Sequence, residues 1–431
     1  MKILWLSHLI PYPPKGGVLQ RSYNLIKEMG KYHEITLISF NQGSLLASSL
    51  PEQADPLAHA TEMLMQHVER IKVLGIPEER LPKGRYLTVL KALLKGTAYN
   101  MEWLISAEAR RVLTETLFEE SFDIVHVDTI SLAPYFYLFE NIPIVLNHHN
   151  FESEMLTKRS KTESNIIKSF FYRYEANQLL KKEAFFSQKA NLNITCSDRD
   201  TKMMQSVIGE SSFFTVPNGV DISYFYPNQN VPVIKNRIVI VGGLSWYPNR
   251  EAVEFFIREI WPVLKKDLPN MTVDIIGRNP TSEIIEFGKN EENVNVLGFV
   301  DDVRDYLWRA DFYLCPIKTG GGTKLKILDA LATGCCIISD PFACIGIDVE
   351  DNKHVMYAES PLEYVNCIKK LQGDRYKQSS LRETGPVLIK DRYSYQSIGF
   401  EYSKRVFELC DKETRKEQAA DGVEHVIDND K

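Results

Sequence analysis

The sequence predicts an α/β protein built from two doubly wound halves, and three observations carry that prediction. Short apolar runs alternate with amphipathic stretches along nearly the whole chain, the pattern of stacked βαβ units. The pattern restarts at Arg237 after the turn-rich segment from Pro217 to Pro227, without repeating the earlier sequence. Within the second half, the stretch from Asp311 to Ser339 spells strand, glycine loop, helix and strand.

Length and composition fit two cores. The 431 residues are enough for two or three domains, and 44% hydrophobic with 25% charged residues is the composition of a soluble globular chain. A net charge of −6 argues against a general nucleic-acid binder. The seven cysteines are scattered and only Cys335 and Cys336 are adjacent, so metal-site spacing is absent. Such a set fits a reducing cytosol. The apolar opening run is too short for a secretory signal and reads as a first strand. No apolar run reaches the roughly 18 residues of a spanning helix.

Lys2 to Ser7 is apolar enough to be a central parallel strand. A loop from His8 to Gly17 follows, then a helix from about Val18 to Met29 that carries Arg21, then a strand from Glu34 to Phe40. The dinucleotide fingerprint Gly-x-Gly-x-x-Gly is missing after the first strand, which weighs against an NAD-dependent dehydrogenase. Gly16 and Gly17 still put exposed backbone at that strand's carboxyl end, where open α/β sheets bind ligands. Residues 43–56 read as a polar loop, 57–70 as a helix, 71–74 as a strand, and 87–97 and 106–119 as helices. Two further strands end in polar groups, Phe122 to Asp128 with His126, and Pro143 to Asn147 running into His148, His149, Asn150 and Glu152. Consecutive polar side chains after an apolar strand can face a substrate. Residues 163–189 form a long basic amphipathic helix, which either packs its apolar side in the core or lies on a membrane surface. Asp198 and Asp200 follow the capping Ser197, so they read as helix N-terminal charge rather than a metal motif.

In the second half a strand to Val241 leads into Gly242-Gly243 and a helix over 250–267. Strands at 271–276 and 294–297 end at Gly277-Arg278 and Gly298-Phe299. The stretch from Pro316 to Gly334 then holds Gly320, Gly321, Gly322, Thr323, Lys324 and Lys326 ahead of a helix with Ile327, Leu328 and Leu331 on one face. Glycines admit close backbone approach, a helix N-terminus offers free N–H groups, and two lysines add full charge. Together they point to a bound phosphate, most simply a diphosphate. Helices follow at 361–372 and 394–410, and the charged residues after about 412 read as a disordered tail.

Five of these segments, in this order, resemble the retaining GT-B glycosyltransferases of family 4. They are Pro11 to Gly17 with Arg21; Val216 to Asp221 with Phe225 and Pro227; Val241 to Asn249; Gly298 to Asp301; and the glycine loop to Gly334. The resemblance implies two Rossmann-like domains facing a central cleft, with a C-terminal helix crossing back. Residues 1–218 would be the acceptor domain, 228–390 the nucleotide-sugar domain, 391–411 the return helix and 412–431 the tail. It implies transfer of a sugar from a UDP-, GDP- or dTDP-sugar to a hydroxyl of a glycan or lipid-linked glycan, with retention and without a metal or other cofactor. A cytoplasmic protein of bacterial surface-polysaccharide synthesis is the corresponding setting, with a peripheral contact at the inner face of the membrane.

By motif position, His149, Lys324 and Asp329 take the catalytic places, with Asp329 standing for the second Glu of the family's Glu-x7-Glu and able to bond ribose hydroxyls. Gly16, Gly17, Gly243, Asn249, Arg278, Phe299, Val300, Gly321, Gly322, Thr323 and Lys326 fall on the donor side. Arg21, His126 and Glu152 fall on the acceptor side. The chain departs from the pattern at Gly321, where many members carry the first Glu; the donor sugar is therefore open. Two other readings share this architecture: a nucleotide-sugar epimerase, and a non-catalytic nucleotide-sugar-binding partner subunit.

Overall fold

The computed structural model describes residues 1–14, 17–209, 211–320 and 322–428, with side chains as far as 412. Two compact units divide the chain. Unit 1 comprises Met1–Pro217 and Ile398–Lys431, and unit 2 comprises Asn218–Ser397.

Unit 1 holds a parallel sheet of β1 (Lys2–Ser7), β2 (Glu34–Asn41), β3 (Arg70–Gly75), β4 (Ile124–Val127), β5 (Ile144–His148), β6 (Leu192–Thr195) and β7 (Phe213–Thr215). Their spatial order is β3-β2-β1-β4-β5-β6-β7, so the sheet reverses direction of growth between β1 and β4. Side chains alternate between two cores, as a strand period of two demands. Leu4, Leu6, Val125, Val127 and Leu146 line one face, while Ile3, Trp5, Ile35, Leu37 and Ile194 line the other. Both faces are covered, which is why these strands read as unbroken apolar runs.

Unit 2 repeats the plan with β8 (Arg237–Val241), β9 (Thr272–Ile276), β10 (Val294–Gly298), β11 (Phe312–Cys315), β12 (Ile337–Ser339) and β13 (Met356–Tyr357). The order is β10-β9-β8-β11-β12-β13, with the reversal between β8 and β11. Ile238, Ile240, Ile275 and Leu314 face one core and Val239, Ile276, Tyr313 and Cys315 the other.

Helix Ile166–Lys189 buries an unexpected face. Ala176 and Leu179 lie inside together with Glu175 and Glu183, while Ile166 and Ile167 are exposed. The glutamates are there because they satisfy backbone donors: Glu183 accepts from the N–H of Glu152 at 2.9 Å and Glu175 from that of Tyr99 at 2.8 Å. Burial pushes the Glu183 carboxyl up to about 8. Ser197 caps helix Asp198–Ile208 by accepting from the Asp200 N–H, as its position in the sequence suggests.

Three sequence expectations need correction. The supposed loop over 43–56 contains helix Gly43–Ser49, whose one buried side chain, Leu46, gives too weak a periodicity to read. The helices Ser282–Asn290 and Arg375–Leu388 were not foreseen; the second contains Pro386. The last helix runs Tyr395–Asp428, through much of the segment expected to be disordered. Low apolar content argues against core packing there, but Ala, Glu, Gln, Lys and Arg are strong helix formers. Its Ile398, Tyr402 and Val406, at i, i+4 and i+8, pack in the Trp5 core of unit 1. No helix among the described residues is long and apolar enough to cross a membrane.

Candidate functional site

In open α/β sheets the ligand crevice lies outside the carboxyl ends of the strands, where the order reverses. Each unit has a distinctive polar set at that place.

In unit 2, β8 ends at Val241 and the chain turns through Gly242 and Gly243. The backbone is stitched to its neighbours: Gly242 N–H donates to Ile276 at 2.9 Å and Gly277 N–H to Gly298 at 2.7 Å. A Cβ at Gly242 would displace the Lys326 ammonium and crowd the Asn249 side chain. Asn249, nearly buried, donates from Nδ2 to the Gly243 carbonyl at 2.9 Å and accepts from Lys326 on Oδ1. A recess between β8 and β11 is lined by Gly242, Asn249, Cys315, Pro316 and Lys326. The sequence-predicted Gly243, Asn249 and Lys326, distant along the chain, therefore meet at one point.

The glycine loop follows β11. Gly320 and Gly322 adopt φ of 95° and 68°, a region open to glycine at little cost. Gly320 lies so close to Trp246 and Pro248 that a Cβ would sit 2.7 Å from the proline ring. Lys324 precedes helix Leu325–Ala332; it is 4% exposed, donates to the Gly322 carbonyl at 3.0 Å and lies near the Trp246 and Phe342 rings. The Thr323 hydroxyl and one oxygen of Asp329 are buried with no hydrogen-bond partner among the described residues. Burial lowers the Lys326 ammonium to about 8, against the pull of Cys315 and Asp329. Burial also raises the Asp329 carboxyl to about 7, with Lys326 opposing it. The site thus holds a weakened cation and a weakened anion, both poised to respond to a ligand. Arg278 stacks its guanidinium 4.2 Å from the exposed Phe299 ring, forming a flat rim, while Val300 packs half-buried in the core. Gly16 and Gly321 lie outside the described residues.

In unit 1 the organising group is Asp128, which follows β4 and has no solvent exposure. Its carboxylate accepts from Ser22 Oγ at 2.8 Å and Asn147 Nδ2 at 2.9 Å, with His149 Nε2 at 3.3 Å and His8 Nδ1 and His126 Nε2 each at 3.6 Å. Burial would raise this carboxyl, but His149, His126 and His8 outweigh burial and hold it well below 3.8. At 3.6 Å the His8 and His126 nitrogens are charge contacts rather than hydrogen bonds, and His149 Nε2 also meets Asn147 Nδ2 at 3.4 Å. One ring nitrogen each of His8 and His149 and a carboxylate oxygen of Asp128 lie within 4.8 Å of one another, a spacing that could also hold a metal ion. The Glu152 carboxyl, raised by burial, lies beside His8 and His149 and accepts from Asn100 at 2.8 Å.

Two residues expected on the acceptor side are structural. His126 stacks on Trp5 with centroids 3.5 Å apart and bonds the Tyr402 hydroxyl at 2.7 Å, fully inside the core. Arg21 is buried and donates to the carbonyls of Val216 and Pro217 and to Asn147, fixing the end of the sheet. His148 is buried against Asn193 at 3.1 Å, and burial lowers its ring to about 4, so it stays neutral. Gly17 opens helix Gly17–Met29. Sequence reasoning missed Asp128 and Asn147 as the partners of His149; the only signal was that both β4 and β5 run into polar residues.

Comparison with known proteins defines the class. A family model described as Glycosyltransferase Family 4 matches residues 15–224, and one described as Glycosyl transferases group 1 matches residues 235–374. The chain belongs to the group 1 glycosyltransferases, and its architecture is the two-domain GT-B fold.

Among particular relatives, the Anabaena HepE protein, solved in complex with UDP and glucose, is 14% identical, with a TM-score of 0.62 covering 95% of this chain and 100% of that one. Sucrose-phosphate synthase from Thermosynechococcus elongatus is 12% identical, with a TM-score of 0.66 covering 95% and 99%. At such identities the likeness is one of fold. In sequence, the chain is similar to an uncharacterized 44.6 kDa protein in the cps region of Klebsiella pneumoniae, 21% identical over 242 residues. That match takes in 53% of this chain and 60% of the relative's length.

Proposed function

We propose that the protein transfers a sugar from a nucleoside-diphosphate sugar to a hydroxyl acceptor, with retention of anomeric configuration. The observation that carries this reading is the recess at the β8–β11 reversal, where Lys326, Asn249 and the Gly242 backbone converge beside the glycine loop. Cleavage of the anomeric C–O bond develops negative charge on the departing diphosphate. Lys324, Lys326 and the N–H groups that open helix Leu325–Ala332 supply fixed positive donors for that charge. In this reading those donors do the work without a metal. Asp329, with an unpartnered buried oxygen, accepts from ribose hydroxyls, and the Arg278–Phe299 pair borders the base. The UDP and glucose held by the HepE protein support a nucleotide-sugar donor here.

In this reading His149 contacts the transferred sugar, its ring held beside Asp128 with Nε2 at 3.3 Å. Family membership supports retention, in which the acceptor hydroxyl attacks on the leaving-group face and no protein nucleophile is needed. The cps-region relative supports a polysaccharide or lipid-linked glycan as acceptor. The test is the product: proton NMR of the new linkage should show the anomeric configuration of the donor, and an inverted product or acceptor-independent epimerisation of the donor would refute it.

A further inference from the structure

We infer that His8, Asp128 and His149 of unit 1 form a binding site for a zinc ion. Three consecutive strands of the sheet, β1, β4 and β5, deliver these residues, each standing directly after its strand. Neighbouring strands lie about 4.8 Å apart, so side chains that leave adjacent carboxyl ends can converge. His149 Nε2 lies 3.3 Å from one Asp128 oxygen and His8 Nδ1 lies 3.6 Å from the other. A tetrahedral zinc ion with bonds of about 2.0–2.1 Å holds its ligand atoms about 3.4 Å apart. One nitrogen of each ring and a carboxylate oxygen already fall within 4.8 Å of one another.

The surroundings hold these groups in place. Ser22 and Asn147 donate to Asp128 at 2.8 and 2.9 Å, and Arg21 donates to the Asn147 amide oxygen at 3.2 Å. Cys196 donates to the His149 carbonyl at 3.2 Å. Supporting contacts of this kind fix the orientation of metal ligands. His8 Nδ1 is buried with no hydrogen-bond partner among the described residues, and a buried polar atom in that state is accounted for by an ion. The side chains of Asp128, His149 and His8 are 0%, 6% and 14% exposed, so the ion would bind largely out of water.

The donor set selects the metal. Two imidazoles and one carboxylate suit Zn²⁺, whereas Mg²⁺ and Ca²⁺ take oxygen ligands. Three protein ligands leave a fourth position for water or a hydroxyl. An ion here takes a lone pair of His149 and pins the ring. Zn²⁺ would then withdraw His149 from the sugar and switch transfer off reversibly, the metal-free chain being the active form. That consequence rests on the sugar-transfer reading; binding of the ion does not.

The test is equilibrium dialysis of the untagged, chelator-treated full chain against Zn²⁺, with Mg²⁺ for comparison. The chain should take up one Zn²⁺ at micromolar concentration and no Mg²⁺. His8→Gln should weaken Zn²⁺ binding about 10- to 100-fold or more, while His59→Gln, outside the set, should bind as the parent does. Co²⁺ in the parent should give the intense visible bands of a four-coordinate ion, a readout that needs no variant to fold. Zn²⁺ should inhibit sugar transfer by the parent, EDTA should restore it, and His8→Gln should need about tenfold more Zn²⁺ or above for the same inhibition. A chain that transfers no sugar but binds Zn²⁺ through His8 would refute the transfer reading and leave this site standing. No uptake of Zn²⁺, uptake undiminished in His8→Gln, uptake lost in His59→Gln, or a six-coordinate Co²⁺ spectrum would overturn the inference.

Discussion

Replacing Lys326 with methionine should strengthen the ligand-free fold while weakening the donor site. Burial lowers this ammonium from 10.5 to about 8, which corresponds to roughly 3 kcal/mol against the charged form in the folded state. Methionine removes that cost and keeps most of the side-chain volume. It also leaves Asn249 Oδ1 without its donor, a loss of about 1–2 kcal/mol. The net effect is about 1–2 kcal/mol of added stability, or a Tm higher by about 2–5 °C. The sign follows from the depressed folded-state value: the charged lysine destabilises fully below about 8, and the difference fades as pH rises toward 10.5. Donor binding should move the other way. A charge-assisted hydrogen bond to phosphate is worth about 1.5–3 kcal/mol, so affinity should fall about 10- to 150-fold. Thermal denaturation at neutral pH gives the first quantity and isothermal titration with a nucleotide sugar the second. A variant with a lower Tm and donor affinity within twofold of the parent would refute the reasoning on both counts.

Other outcomes follow from the same geometry. Donor affinity should rise with pH as Asp329 ionises near about 7 and fall as Lys326 deprotonates near about 8; Asp329→Asn should remove the acid limb and leave the alkaline one, measured by titration across pH. Asp128→Asn should lower kcat about tenfold or more, by loosening His149, with donor Kd within about twofold; an equal loss in both would show that the change is one of folding. EDTA should leave turnover of the metal-free protein unchanged, and a loss restored by a divalent ion would give the His8–Asp128–His149 set a catalytic metal role.

The parts legible in the sequence were those governed by local pattern. β1, β8 and β11 are buried on both faces, so their apolar runs announce them. The glycine loop was legible because its chemistry is contiguous from Gly320 to Lys326. What could not be read was pairing over distance. Lys326 and Asn249 lie 77 positions apart, and only the folded sheet brings them together beneath Gly242. His126 looked like a substrate-facing residue because its partner Tyr402 lies 276 positions away. Arg21 likewise meets its carbonyl acceptors far along the chain, at Val216 and Pro217. Asp128 gave no signal beyond its place at a strand end, since its meaning comes from three histidines on separate segments. The helical course of residues 412–428 escaped notice because composition reports on core packing and not on backbone propensity.

The central claim is that unit 2 binds the diphosphate of a nucleotide sugar through the β8–β11 recess and the glycine loop. It is tested most directly by thermal shift with UDP-, GDP- and dTDP-sugars on the parent protein and on Lys324→Ala. At a ligand concentration near 100 times Kd, mass action adds about 2.7 kcal/mol, so at least one donor should raise the Tm by about 5–10 °C. The same donor should give a clearly smaller shift with Lys324→Ala. Failure of every nucleotide sugar to shift the parent protein, or an undiminished shift in the variant, would contradict the account.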